Sequence, residues 1–214
     1  MPDRHPLQPV WGGGSHTERF ERVRPFLGEQ RVLDVGAGSG VGRPDWLHAR
    51  VAAVATEAVG LELDPALAAR ARSAGYDVRD GNAETFALDR TFTVVWAGEI
   101  IEHLSSAGAF LDRARAHLEP GGLLVLTTPN AFAISNFVYR LGGRPRVNAG
   151  HTCWYDETTL TQLLVRHGFA VTEVAYVGHR TPGRFRAVAA GAVRAVLPDR
   201  LARNTLLVVA RVSG

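Results

Sequence analysis

From residue 17 almost to its end, the chain alternates short apolar runs with longer amphipathic ones. Thr17–Leu27 places Phe20, Val23, Phe26 and Leu27 at helical spacing among charged positions, which predicts a covering helix. Strands are predicted at Arg31–Val35, Val59–Leu63, Tyr76–Arg79, Phe92–Ala97 and Leu123–Thr128. Helices are predicted between them at Pro44–Val54, Pro65–Ala74 and Ala107–Leu118. Asp64-Pro65 reads as an N-cap followed by proline in the first turn. Pro120-Gly121-Gly122 reads as a turn into the fifth strand. Beyond it the pattern predicts a short helix over Phe132–Leu141 and a loop over Gly142–Cys153. A further helix follows over Glu157–His167, capped by Asp156 or Thr158 and stopped by Gly168. The last strands are Phe169–Val177 and Leu206–Val212, with Arg184–Leu197 between them apolar but punctuated by arginine. Strands and helices alternating at these lengths predict an α/β domain, a mostly parallel sheet covered on both faces.

At 214 residues and 46% apolar, the chain holds one such domain, assigned to residues 17–214 behind a loose N-terminal arm, 1–16. No apolar run approaches the ~20 residues of a membrane span, and residues 1–14 lack the apolar core of a signal peptide, so no stable membrane insertion is expected. The single cysteine, Cys153, excludes an internal disulfide and points to a reducing cytoplasm; it is read as a small buried apolar residue. All 24 basic residues are arginine, which removes Schiff-base and P-loop lysine chemistry. A net charge of +3 is too small to argue for nucleic acid, and no DNA partner is expected.

Candidate chemistry begins at Val32-Leu33-Asp34-Val35-Gly36-Ala37-Gly38-Ser39-Gly40. A strand runs directly into bare backbone, which lets a ligand approach closely and permits positive φ. The dinucleotide pattern G-x-G-x-x-G fails, because its third glycine would fall on Val41 or Arg43. Asp34 sharpens the choice. A carboxylate at the strand tip repels a pyrophosphate but suits a ligand that carries an ammonium and a sulfonium.

On these residues the chain resembles the class I S-adenosylmethionine-dependent methyltransferases, whose first motif D/E-x-G-x-G-x-G is matched by Asp34, Gly36, Gly38 and Gly40. Three later segments, in order, extend the resemblance over residues 31–130. Glu62, at the end of the second strand, is placed to accept the ribose hydroxyls. Gly81-Asn82-Ala83-Glu84 resembles the adenine segment, with Asn82 on the exocyclic amine and the Ala83 N–H on a ring nitrogen. Leu118–Gly122 resembles the turn into strand five. The resemblance implies a Rossmann-like, doubly wound, seven-stranded sheet of order 3-2-1-4-5-7-6 with the last strand antiparallel. It also implies S-adenosylmethionine at the topological switch point.

Glu99, Glu102 and His103 follow strand four at spacing i, i+3, i+4. On a helix they would share an arc of about 100° and hold a divalent cation. The motif E-x-x-E-H also resembles the quinone-pathway O-methyltransferases and the small-RNA 2′-O-methyltransferases, in which a metal activates hydroxyl acceptors. Glu99 alternatively faces the cofactor's amino group, and His103 alternatively acts as a metal-free base. His151, beyond the long loop, is a fourth ligand, a second acid/base, or a loop tether. Trp154 and Tyr155 wall the acceptor pocket or fill the core, and Asn130 touches the acceptor or caps a helix. Arg140, Arg144 and Arg146 meet an anionic acceptor or solvent.

The expected activity is methyl transfer to a small-molecule acceptor, most simply at a hydroxyl oxygen. The alternatives are a metal-free N-methyltransferase, a nucleic-acid 2′-O-methyltransferase and a non-catalytic partner protein that binds the cofactor. The segment Arg184–Leu197 is read as a sheet cover or a homodimer contact rather than a membrane anchor.

Overall fold

A computed structural model describes residues 17–143, 147–178 and 195–213. Its elements run α1 (Thr17–Leu27), β1 (Arg31–Val35), α2 (Leu47–Ala52), β2 (Glu57–Glu62), α3 (Pro65–Ser73), β3 (Val78–Asp80) and β4 (Phe92–Gly98). After a 3₁₀ turn at Ile101–His103 come α4 (Ala107–Ala116), β5 (Leu118–Pro129), α5 (Ile134–Leu141), α6 (Glu157–Arg166), β6 (Phe169–Val177), α7 (Asp199–Ala202) and β7 (Thr205–Val212). The seven strands form one sheet of order β3-β2-β1-β4-β5-β7-β6. β7 runs antiparallel to both β5 and β6, and the remaining pairs are parallel. This is the topology that the resemblance implied.

The central strands are buried on both faces, which explains their nearly unbroken apolar runs. Alternation along each strand divides the core in two. Val32, Val94, Trp96, Val125 and Val209 pack on one face beneath Phe20, Val23 and Leu27 of α1 and Val51 of α2. Leu33, Val95, Leu124 and Val208 pack on the other against Phe110, Leu111 and Ala114 of α4 and Leu160 and Leu164 of α6.

Several elements differ from their predicted bounds for local reasons. α2 begins at Leu47 rather than Pro44, because residues 38–46 are taken up by turns hydrogen-bonded from Val41 to Gly38, from Arg43 to Gly40 and from Trp46 to Arg43. α4 stops at Ala116, where His117 caps it, and β5 already pairs with Phe92 at Leu118. The predicted caps form: Asp64 accepts from the Ala66 N–H at 2.8 Å, and Asp156 closes a capping box with Thr159.

α5 is inverted relative to an ordinary surface helix. Ile134, Phe137, Val138 and Leu141 share one face, and that face is exposed, with Leu141 at 88%. Its polar residues hold it to the body: the Ser135 hydroxyl donates to Asn204 Oδ1, and Asn136 Nδ2 donates to the Asn130 carbonyl.

Residues 1–16, Arg144, Arg146 and most of Arg184–Leu197 lie outside the described residues, so the readings made of them rest on sequence alone. Cys153 is exposed rather than buried. It sits in an irregular stretch tied to the turn after β4: the Thr152 and Cys153 N–H groups both reach the Glu102 carbonyl, and the Thr152 hydroxyl donates to the Glu102 and Leu104 carbonyls.

Candidate active site

The sheet order reverses direction at β1, which lies between β2 and β4, so the crevice beyond the carboxyl ends of these strands is the natural ligand site of the fold. Four connections rise there: residues 36–46, 62–64, 98–106 and 130–133.

The first connection is the glycine loop. Gly36 has φ +84°, and its N–H and that of Ala37 both bond the Leu61 carbonyl, which fastens the loop to β2. A Cβ on Gly36 would lie 2.2 Å from Ile100 Cδ1, and one on Gly38 would lie 2.6 Å from Glu62 Oε2. Gly40 has φ +91°, a region that L-residues avoid. The Gly38 N–H donates to Glu62 Oε2 at 2.7 Å, and the Asp64 N–H donates to Oε1 at 2.9 Å. Two backbone donors therefore orient the Glu62 carboxylate, and each oxygen keeps a lone pair for another donor.

Asp34 is 4% exposed, and its Oδ2 lies 2.9 Å from Nδ1 of His48 in α2. Asn82 is exposed, and its Oδ1 accepts the Glu84 N–H at 2.8 Å, so the oxygen assigned to adenine also closes a local turn. Ala83 packs against the core. Glu84 Oε1 accepts from the Ser105 and Ser106 N–H groups, which joins this segment to the connection after β4.

That connection does not continue as a helix. Glu99 adopts φ +60°, a strained conformation for a residue with a side chain, and its N–H donates to the Thr127 carbonyl at 2.8 Å. Only Ile101–His103 is helical, as one 3₁₀ turn. The expected common arc of Glu99, Glu102 and His103 is therefore absent. Glu99 turns to the buried Arg19 of α1, with N···O at 3.3 Å.

Glu102 instead points inward and is 1% exposed. Thr128 Oγ1 donates to its Oε2 at 2.9 Å. Among the described residues Oε1 is buried without a hydrogen bond, and it faces His151 Nε2 at 4.0 Å. Burial, then the nearby Glu99 charge, pushes the Glu102 carboxyl up to about 8. The His103 and His151 rings meet edge to face with centroids 4.6 Å apart. His103 Nδ1 lies 3.2 Å from the Gly150 carbonyl, which only accepts, so Nδ1 is the donor and Nε2 keeps its lone pair. Burial, then His103, lowers the affinity of His151 for a proton. Glu102, His103 and His151 each offer one ligand atom, and these atoms lie within 4.8 Å of one another.

The remaining acceptor-side candidates separate. Tyr155 is buried and Trp154 is exposed. Asn130 is structural: Nδ2 donates to the Arg200 and Arg203 carbonyls, and Oδ1 accepts the Phe132 N–H. Three contributors were not anticipated: His48, Arg19 and Thr128. For His48 the available signal was an imidazole among the apolar residues of a short helix. Arg19 and Thr128 carried none, because their partners lie on distant segments.

A methyltransferase-domain family model matches residues 16–174. A probable S-adenosylmethionine-dependent methyltransferase of Mycolicibacterium smegmatis is 32% identical over 167 residues, 77% of this chain and 61% of that protein. A ubiquinone biosynthesis O-methyltransferase of Bradyrhizobium sp. is 30% identical over 79% of this chain and 71% of that protein. A third relative, the ubiquinone biosynthesis O-methyltransferase of Parvibaculum lavamentivorans, is 36% identical over 66% of this chain, and the match spans 57% of its own length. Among solved structures, an S-adenosylmethionine-dependent methyltransferase of Mesorhizobium loti superposes with TM-score 0.64 at 20% identity, covering 93% of this chain and 98% of that one. The chain belongs to the class I S-adenosylmethionine-dependent methyltransferases.

Proposed function

We propose that this chain transfers the methyl group of S-adenosylmethionine to a hydroxyl oxygen of a small molecule, activated by the cluster of Glu102, His103 and His151. The observation that carries this reading is the convergence of those three side chains, with a lone pair fixed on His103 Nε2 and a buried Glu102 oxygen that makes no hydrogen bond among the described residues. The O-methyltransferases among the relatives support it.

The cofactor end fits a positively charged nucleoside. A glycine cradle that Cβ atoms would fill stands between two carboxylates, Asp34 and Glu62. In this reading Asp34 faces the ammonium, Glu62 accepts from the ribose hydroxyls, and the Asn82-Ala83 backbone borders the adenine. The sulfonium supplies an electrophilic methyl group and leaves as neutral S-adenosylhomocysteine.

On the acceptor side, His103 Nε2 takes the hydroxyl proton as the carbon–oxygen bond forms and the carbon–sulfur bond breaks. Glu102 and His151 exclude water and align the hydroxyl, which makes the displacement effectively unimolecular.

One specific observation favours a second reading. A carboxylate oxygen and two imidazole nitrogens are a donor set that suits Zn²⁺ or Mn²⁺, and Glu102 Oε1, buried without a hydrogen bond among the described residues, fits such an ion. Glu102, His103 and His151 would hold it, and its chemistry would be to lower the pKa of the acceptor hydroxyl. Glu99, paired with Arg19, is not among these donors.

The test is radiolabelled methyl transfer from S-adenosylmethionine across catechols, phenols and primary amines. Label on hydroxyl oxygen is expected, and His103→Ala should lower the rate by about 100-fold or more while S-adenosylhomocysteine still binds. Transfer to amines alone, or cofactor binding without turnover on any acceptor, contradicts the reading.

A further inference from the structure

We propose that His48 is a positioning residue for the cofactor: it holds one oxygen of the Asp34 carboxylate inside the protein, so that the other is presented to the cofactor's ammonium. The proposal rests on the placement of S-adenosylmethionine at the glycine loop.

Asp34 and His48 form a side-chain pair with almost no exposure on either partner, 6% and 0%. A carboxylate only accepts, so Nδ1 of the imidazole donates across the 2.9 Å to Oδ2. Oδ1 carries no hydrogen bond among the described residues. One carboxylate is thereby divided into a fixed oxygen and an available one. His48 Nε2 is buried without a partner among the described residues, so the ring has one bond to make, and it makes it to Asp34.

The surroundings are built to admit this ring. Gly60 of β2 stands beside Asp34 in the register, and a Cβ there would lie 3.1 Å from His48 Cε1 and 2.7 Å from Ala37 Cβ. Trp46 and Tyr76 hold the imidazole, with centroids at 5.4 and 5.8 Å. The Trp46 indole N–H donates to the Ala37 carbonyl of the glycine loop at 2.7 Å. The start of α2 thus sends two donors to the cofactor loop, one to its backbone and one to its acid.

A ring that merely filled space would be replaceable by any side chain of similar volume, whereas a positioning ring requires its donor. Three forms of the full chain separate these roles: wild type, His48→Leu and His48→Asn. Leucine keeps bulk and loses the donor. Asparagine places an amide nitrogen the same number of bonds from the backbone as Nδ1. Calorimetric titration with S-adenosylhomocysteine is expected to show a loss of about tenfold or more in affinity for His48→Leu. His48→Asn should stay within about threefold of wild type, the difference expected for a kept or lost charge-assisted hydrogen bond. Thermal unfolding establishes that each variant is folded. If His48→Leu is not, His48→Met, which also keeps bulk and carries no N–H or O–H donor, takes its place with the same expected loss. A folded donor-less variant that binds like wild type, or an asparagine variant as weak as leucine, overturns the proposal. A wild-type chain that takes no S-adenosylhomocysteine overturns the cofactor placement beneath it.

Discussion

Thr128 Oγ1 donates to one oxygen of Glu102 at 2.9 Å, while the other oxygen of the same carboxyl looks across 4.0 Å to His151 Nε2. β5 supplies the hydroxyl, the turn after β4 supplies the acid, and a distant loop supplies the imidazole. The loop is held there through Thr152, whose N–H reaches the Glu102 carbonyl at 2.8 Å and whose hydroxyl donates to the Leu104 carbonyl at 2.7 Å. The proposed acceptor end is therefore assembled around a carboxyl whose charged form is disfavoured by burial.

That carboxyl makes stability depend on pH in the metal-free protein. Its folded-state pKa, raised from 4.5 to about 8, lies above the unfolded value. The folded state then holds a proton that the unfolded chain releases, so the contribution is full below 4.5 and is lost as pH rises through about 8. Urea unfolding with chelator present should show wild type losing stability across this window relative to Glu102→Gln. Parallel profiles for the two proteins would contradict the assignment.

Chelation separates the two readings of the cluster. If a cation sits on Glu102, His103 and His151, exhaustive treatment with EDTA abolishes methyl transfer, and Mn²⁺ or Zn²⁺ restores it. If His103 Nε2 acts alone as base, the rate survives chelation unchanged.

Gly38→Ala should weaken S-adenosylhomocysteine binding about tenfold without unfolding the chain. The new Cβ would lie 2.6, 2.7 and 2.8 Å from Glu62 Oε2, Cδ and Cγ, so the Glu62 side chain must move as a whole. That movement also breaks the Gly38 N–H bond and takes the carboxylate away from its proposed place at the ribose. Calorimetry on the folded variant measures the loss.

Asp156→Ala should cost about 1 kcal/mol of stability in urea unfolding, the usual value of a helix N-cap. The side chain accepts from the Thr158 and Thr159 N–H groups at 2.8 and 3.2 Å. Because α6 packs on the sheet and does not enter the crevice, cofactor affinity should not change.

The sheet was legible because its strands carry apolar runs that only double-sided burial explains, and because the Asp34–Gly40 and Glu62 segments carry their family pattern locally. What lay between segments was less so. The helical arc expected for Glu99, Glu102 and His103 dissolved because Glu99 takes a positive φ and pairs with Arg19, eighty residues upstream. The spacing of Ile134, Phe137, Val138 and Leu141 gave the helix, but periodicity does not say which way a stripe faces, and Ser135 and Asn136 turn it outward. His48 is a histidine in the first turn of a short helix, and its role exists only where α2 crosses β1.

In the proposed function, the Asp34 carboxylate at the tip of β1 receives the cofactor's ammonium group, which S-adenosylhomocysteine shares. Asp34→Asn keeps the size of the side chain and an acceptor for His48 while removing that charge. Calorimetry should show S-adenosylhomocysteine binding to wild type, no binding of NADH or ATP, and a loss of about tenfold or more in the variant. Equal affinity of wild type and Asp34→Asn for S-adenosylhomocysteine, or a wild type that prefers NADH or ATP, would contradict the account.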